Sequence, residues 1–293
     1  IFCRKSTLKY CSVFGVHYKF TDRKDKTMKY SFMTFSCPEL NMSEVLATAR
    51  RFDYDGVEPR IDEKHNHGVE VASSAEKRKE IKKQAIDSGI AIACVATSCV
   101  YANPETAKQN VDYTLKCIDL TADLGSSRLR VFGGQIGKGL DRESAIRLVA
   151  ESLMSVADHA SQRGVIVCME THDDWCDPSH VAKVMKIANH PAIAVNWDIM
   201  HPVRTNLATM DQAFEALKPW IKHLHVHDGR PNTTDLVPIG TGGYDHKRAV
   251  ELLLTINYDG YISGEWIGWS DLYEVHLPRE LATLKRYERG SKE

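Results

Sequence analysis

The run Ile221-Lys222-His223-Leu224-His225-Val226-His227-Asp228 carries a histidine at every second position and ends on an aspartate. In an extended strand, residues i, i+2 and i+4 share a face, so His223, His225 and His227 point one way while Leu224 and Val226 point the other. A single histidine on such a face is usually a hydrogen-bonded core residue; three at period two imply a different kind of partner. Three more apolar runs end on an acid: residues 165–169 lead into Glu170, 192–197 into Asp198 and 260–264 into Glu265. One imidazole and three carboxylates, each at the end of its own strand, make a hard nitrogen and oxygen donor set for a divalent cation. The ligand set read this way is Glu170, Asp198, His225 and Glu265. A cation held there acts as a Lewis acid on carbonyl and hydroxyl oxygens, and carboxylates beside it can move protons.

Four side chains so far apart in the chain meet only if a scaffold aims them at one point. From Lys29 onward, a short apolar run, a loop and a longer stretch of helical periodicity return about every 30 residues. The pattern predicts strands over 29–35, 55–60, 90–96, 127–132, 165–170, 192–198, 221–227 and 260–266. It predicts helices near 43–52, 73–88, 104–124, 141–163, 178–189, 209–219, 245–257 and 277–288. Pro104 is preset for the first turn of the third helix, Gly89, Gly125 and Gly164 stop helices two, three and four, and Asp141 caps the fourth. Strict alternation means parallel strands joined by right-handed crossovers, and eight units match an α/β fold of the (β/α)8 TIM barrel type. Function in such a barrel sits at the C-terminal ends of the strands, where all four ligands fall, on strands five to eight. An open doubly wound sheet is the alternative, but no Gly-x-Gly-x-x-Gly follows the first strand. Gly240-Thr241-Gly242-Gly243 lacks the Lys-Ser/Thr ending of a phosphate loop and reads as a turn.

The rest of the composition narrows the class. With 43% hydrophobic and 26% charged residues the 293-residue chain reads as a soluble protein with a large core. No apolar run reaches the roughly 20 residues that span a bilayer. A net charge of −1 lacks the basic excess expected of a nucleic-acid binder. The expected partner is a small molecule, with neither nucleic acid nor membrane involved; homo-oligomerisation is compatible with the sequence. Eight scattered cysteines without a Cys-x-x-Cys pair fit a reducing, cytoplasmic setting. Residues 1–27 are basic, begin on Ile and lack a secretory pattern, and read as an extension ahead of a single barrel domain over 28–293.

Four segments together resemble a known family: Val167-Cys168-Met169-Glu170-Thr171-His172, Asn196-Trp197-Asp198-Ile199-Met200-His201-Pro202, the His223–Asp228 run, and Tyr261-Ile262-Ser263-Gly264-Glu265-Trp266. The chain resembles the sugar phosphate isomerase and epimerase superfamily with the xylose-isomerase-like TIM barrel, which includes ketose 3-epimerases, inosose dehydratases and endonuclease IV-type repair enzymes. The resemblance implies that Glu170, Asp198, His225 and Glu265 hold one divalent ion, Mn²⁺ first, with Mg²⁺, Co²⁺ or Zn²⁺ as alternatives. It implies that His201 contacts substrate oxygens and makes Arg230 the nearest counterpart of a sugar-binding arginine. Where ketose epimerases carry a second carboxylate after the strand-five glutamate, this chain has Cys176.

The activity expected from the resemblance is isomerisation or epimerisation of a ketose or related polyhydroxy ketone through an enediolate, with Glu170 and Glu265 exchanging the proton. A lyase that dehydrates a keto-inositol or keto-sugar by the same enolisation is the alternative, with His172, His201 or His227 as the acid. An endonuclease IV-like activity requires histidines on strand three, and residues 91–98 contain none. A non-catalytic sugar-binding barrel is the remaining class, and no ligand is missing. Arg60 beside Glu58, His67, Arg130 and Trp266 are further residues that could reach the barrel mouth and bind substrate, with internal salt bridging or ordinary packing as the competing role.

Overall fold

A computed structural model of the chain describes residues 12–13, 16–17, 28–231, 233 and 235–291. The expectation for residues 1–27 lies outside the described residues, apart from a short antiparallel pair, Ser12–Val13 with Val16–His17. The barrel strands are β1 (Lys29–Met33), β2 (Gly56–Glu58), β3 in two pieces (Ala91–Ile92 and Val95–Ala96), β4 (Arg128–Phe132), β5 (Ile166–Glu170), β6 (Ile193–Asp198), β7 (Ile221–Val226) and β8 (Tyr261–Gly264). All pair in parallel, in the order expected for a TIM barrel, with β8 beside β1. The first piece of β3 pairs with β2 and the second with β4, so the ring closes across that strand.

The break in β3 is a departure from the continuous strand predicted over 90–96. Pro59 follows β2 and has no N–H to offer, so the regular ladder cannot continue. The backbone is satisfied by other means: Ala93 N–H donates to Val57 O at 2.8 Å and Ala96 N–H to Pro59 O at 2.9 Å.

The helices lie between the strands, and several of them start at a side-chain cap. Asn41 and Glu44 form a reciprocal capping box on α1 (Met42–Arg51), and Ser74 caps α2 (Ala75–Ser88), which stops at Gly89 with φ 73°. Helix α3 (Ala107–Asp123) begins later than predicted, because Pro104 sits in a turn ahead of it. Asp141 caps α4 (Arg142–Gln162), as expected from the sequence, through the Ser144 N–H at 2.9 Å. Then follow α5 (Pro178–Ala188), a short α6 (Met200–Arg204) that the periodicity did not reveal, α7 (Met210–Leu217), α8 (His246–Thr255) and α9 (Tyr273–Gly290). Outward-facing strand residues such as Val167, Met169, Val195, Trp197, Leu224 and Val226 join the apolar layer under the helices. The alternate positions are polar and buried: Glu58, Arg130, Glu170, Asn196, Asp198, His223 and His225.

Candidate metal centre

Strand register brings the predicted ligands together. Asp198 and His225 are partners across β6 and β7, and Glu170 pairs with Asn196 across β5 and β6. Glu265 directly follows β8, held by its N–H to Val226 O at 3.0 Å. One donor atom from each of Glu170, Asp198, His225 and Glu265 lies within 4.8 Å of all the others. His225 Nδ1 stands 3.3 Å from Glu170 Oε1 and 3.6 Å from Glu265 Oε2. Glu170, Asp198 and His225 are fully buried and Glu265 is 5% exposed.

Three carboxylates in so dry a place need positive charge. Arg130 supplies some: its Nε is 3.0 Å from Glu170 Oε2 and its Nη2 3.9 Å from Glu265 Oε1. Yet neither oxygen of Glu170 receives an aligned hydrogen bond. A buried carboxylate with both oxygens unmet, among two more carboxylates and an imidazole nitrogen, fits a divalent cation with oxygen and nitrogen ligands.

The local electrostatics agree. Burial pushes the Glu265 carboxyl up, but His225, His227 and Arg130 outweigh it and hold its pKa at about 2. Asp198 is likewise pulled below the usual carboxylate range, burial being overcome by His201, His227 and His225. Burial opposes charge on His225, while Glu58, Glu170 and Glu265 together raise its pKa well above that of free imidazole. Acidic groups thus converge on a point that favours positive charge.

Three more histidines line the same mouth. The rings of His172 and His201 are 4.5 Å apart between centroids, and those of His201 and His227 5.6 Å. His227 Nε2 donates to Asp198 Oδ2 at 2.9 Å. His172 is one-third exposed, with Nδ1 2.9 Å from Asp173 Oδ1, and Asp173 and Glu170 overcome its burial to raise its pKa to about 9.

The other predicted binding residues are spread more widely. Arg130 is 1% exposed, stacks at 4.0 Å on Phe132 and bonds Thr97 O at 2.6 Å, so it acts within the barrel. Arg60 is 5% exposed and engages Glu63 at 3.1 Å, Ser98 and Ile61 O. Trp266 is 1% exposed and packs over Gly264 and beside His276. His67 bonds backbone atoms of its own loop. Arg230 is exposed, at the start of the turn in a hairpin of Asp228–Gly229 with Leu236–Val237.

Sequence reasoning left three supporting residues without a role. Asn196 Nδ2 lies 3.1 Å from His225 Nδ1, and Thr171 Oγ1 ties both backbone atoms of Asp198 at 3.0 Å. Asp228 accepts the N–H groups of Gly240 and Gly242 at 2.8 and 3.0 Å, which accounts for the glycine-rich turn. Only the inward alternation of Asn196 with Asp198 was a signal in the sequence.

Known proteins share this architecture. A 3-dehydroshikimate dehydratase of Bacillus anthracis is 19% identical over 262 residues, covering 82% of this chain and 91% of the relative. The L-ribulose-5-phosphate 3-epimerase UlaE of Escherichia coli (strain SMS-3-5 / SECEC) is 23% identical over 234 residues, covering 76% and 81%. Both are enzymes. A solved L-ribulose 3-epimerase structure superposes with a TM-score of 0.75 at 16% identity, covering 91% of this chain and 96% of the other. The family model for the xylose isomerase-like TIM barrel matches residues 46–285, and the chain belongs to that family.

Proposed function

We propose that this protein is a divalent-metal-dependent isomerase or epimerase of a ketose or related small polyhydroxy ketone. The observation that carries the reading is the convergence of Glu170 and Glu265, from β5 and from the end of β8, on His225 Nδ1 at 3.3 and 3.6 Å. Glu170, Asp198, His225 and Glu265 would hold the ion, Mn²⁺ in first place. When bound, it supplies Lewis-acid polarisation of a substrate carbonyl and its neighbouring hydroxyl.

The chain's own groups account for the remaining chemistry. Glu170 and Glu265 approach from different strands, so one can remove the proton from the carbon beside the carbonyl while the other returns a proton to the opposite face. Arg130, 3.0 Å from Glu170 and 3.9 Å from Glu265, helps to orient both carboxylates. His201 and His227, beside Asp198, are placed to hydrogen-bond substrate oxygens, and the buried walls keep bulk water from the carbanion.

A second reading is dehydration by the same proton abstraction. The half-open His172, paired with Asp173, favours it, because a cationic imidazole at the mouth can protonate a departing hydroxyl. We place the enzyme in the cytoplasm: the six cysteines among the described residues are free and buried, and no described helix is long and apolar enough to cross a membrane.

The test is incubation of Mn²⁺-loaded protein with a panel of ketoses and keto-inositols in deuterated water. Deuterium entering the carbon beside the carbonyl with the substrate skeleton intact supports the isomerase; a product lighter by one water supports the dehydratase. Loss of neither proton nor water from any member, in protein that retains its metal, would overturn both.

A further inference from the structure

We infer that Glu58, 165 residues earlier in the chain than His223, is a positioning residue that fixes which nitrogen of His225 faces the ligand point. The inference rests on the metal reading of that point. Glu58 ends β2, where Met33 of β1 is its register partner. Its Oε2 lies 2.8 Å from His223 Nε2 and its Oε1 3.1 Å from His225 Nε2, and all three residues are fully buried.

An ionised carboxylate accepts hydrogen bonds and donates none, so a Glu58 shared by two imidazoles keeps a hydrogen on Nε2 of both. A cation at the ligand point would displace any hydrogen that the surrounding acids favour on Nδ1, and the neutral ring that remains carries one hydrogen. His225 then presents a bare Nδ1, the atom that faces Glu170 and Glu265. The contacts at Nδ1 do not satisfy either Glu170 oxygen as hydrogen bonds, whereas the contact at Nε2 does satisfy Glu58. A carboxylate behind a ligating imidazole fixes the ring's orientation and makes it a stronger donor, and its loss lowers metal affinity about 10–100-fold.

Glutamine at this position is a sharp probe. Its amide offers one acceptor and one donor to two N–H groups that both need acceptors. If the amide nitrogen faces His225, the ring's hydrogen must move to Nδ1 and block the ligand position; if the oxygen faces it, the charge behind the ring is lost and His223 meets a donor.

The experiment uses the full chain, native and with Glu58→Gln or Glu58→Asp. Co²⁺ binding is titrated by visible absorption, and histidine ¹⁵N shifts are read in the Zn²⁺-loaded native protein. The expected result is an Nε2–H signal on a ligated His225 ring, a Co²⁺ affinity about 10–100-fold weaker in Glu58→Gln at near-native far-UV circular dichroism, and partial recovery in Glu58→Asp. A native His225 ligated through Nε2, or a folded Glu58→Gln with Co²⁺ affinity within about twofold of native, overturns the role of Glu58. If Glu58→Gln does not fold, the native ¹⁵N spectrum decides. Native protein that binds neither Co²⁺ nor Zn²⁺ overturns the metal reading itself, an outcome separate from a native protein that binds as well as its variant.

Discussion

His227 Nε2 stands 2.9 Å from Asp198 Oδ2, while Oδ1 of the same carboxylate accepts the N–H groups of Met200 and His201 at 2.8 and 3.1 Å. A strand-end imidazole and the first turn of α6 thus orient Asp198 from two sides. Asparagine can keep the Oδ1 contacts, but its amide nitrogen meets the His227 N–H as donor against donor. Asp198→Asn should therefore lower Mn²⁺ affinity at least about tenfold with loss of charge from the ligand set. Calorimetric titration of the apoprotein checks this, and an unchanged affinity would remove Asp198 from the ligands.

The turn after β7 offers a test of the scaffold rather than of the ligands. A Cβ on Gly242 would lie 2.1 Å from Asp228 Oδ1 and 2.5 Å from Gly229 O, both on the short hairpin that follows His227. Gly242→Ala should cost about 1–3 kcal/mol, the range for forcing atoms into packed space. Gly139→Ala meets no atom within 4 Å and, with φ 81°, carries only the backbone penalty, of about 1–2 kcal/mol. Urea unfolding of the two variants, with His227 contacts followed by activity, should show the first losing function as well as stability and the second losing stability alone.

The difference between what the chain declares and what it hides follows from the range of the interactions. Glu170, Asp198, His225 and Glu265 were legible because period-two alternation and strand ends are local signals, and the barrel's geometry does the rest. The helix start at Asp141 is likewise decided within four residues. The break in β3 was not legible, since residues 91–96 form an apolar run whose pairing depends on Pro59, just past the end of β2. Glu58 offered two readings in sequence, mouth or interior, and only its contact with His223 and His225 chooses the interior. Arg130 was named as a substrate residue because it lies near a strand end; its 3.0 Å contact with Glu170 depends on the register of β4 against β5.

His67 gives a pH dependence that is independent of any ion. Its Nδ1 accepts the Val69 N–H at 3.0 Å while Nε2 donates to Arg60 O at 3.1 Å, an arrangement only the neutral ring can make. Burial depresses its pKa from 6.5 to about 4. Between those values the unfolded chain takes up a proton that the folded chain refuses, so stability is full above pH 6.5 and falls as the pH drops toward 4. The loss from this ring approaches ~3 kcal/mol at 1.36 kcal/mol per pKa unit. Unfolding by urea at pH 7 and pH 4.5 should show a smaller acid-induced loss in His67→Gln than in the native protein, by about 2 kcal/mol. Equal losses in the two proteins would mean that the ring does not titrate in that window.

Glu170 and Glu265 share the proposed proton transfer but not their structural surroundings, and this separates catalysis from stability. Arg130 Nε is 3.0 Å from Glu170, whereas its Nη2 is 3.9 Å from Glu265. Glu170→Gln leaves a buried guanidinium with only the distant carboxylate, and breaking a buried pair from one side costs about 3–5 kcal/mol. Glu265→Gln leaves the closer pair intact, so its stability loss should be distinctly smaller. Both substitutions remove a proton acceptor, so both should lower deuterium exchange into substrate by at least about 10²-fold. Thermal unfolding and exchange rates on the same preparations check the pair of expectations. A Glu265→Gln protein with native exchange would leave Glu170 as the sole base, which suits a one-sided elimination better than the two-sided transfer an epimerase needs.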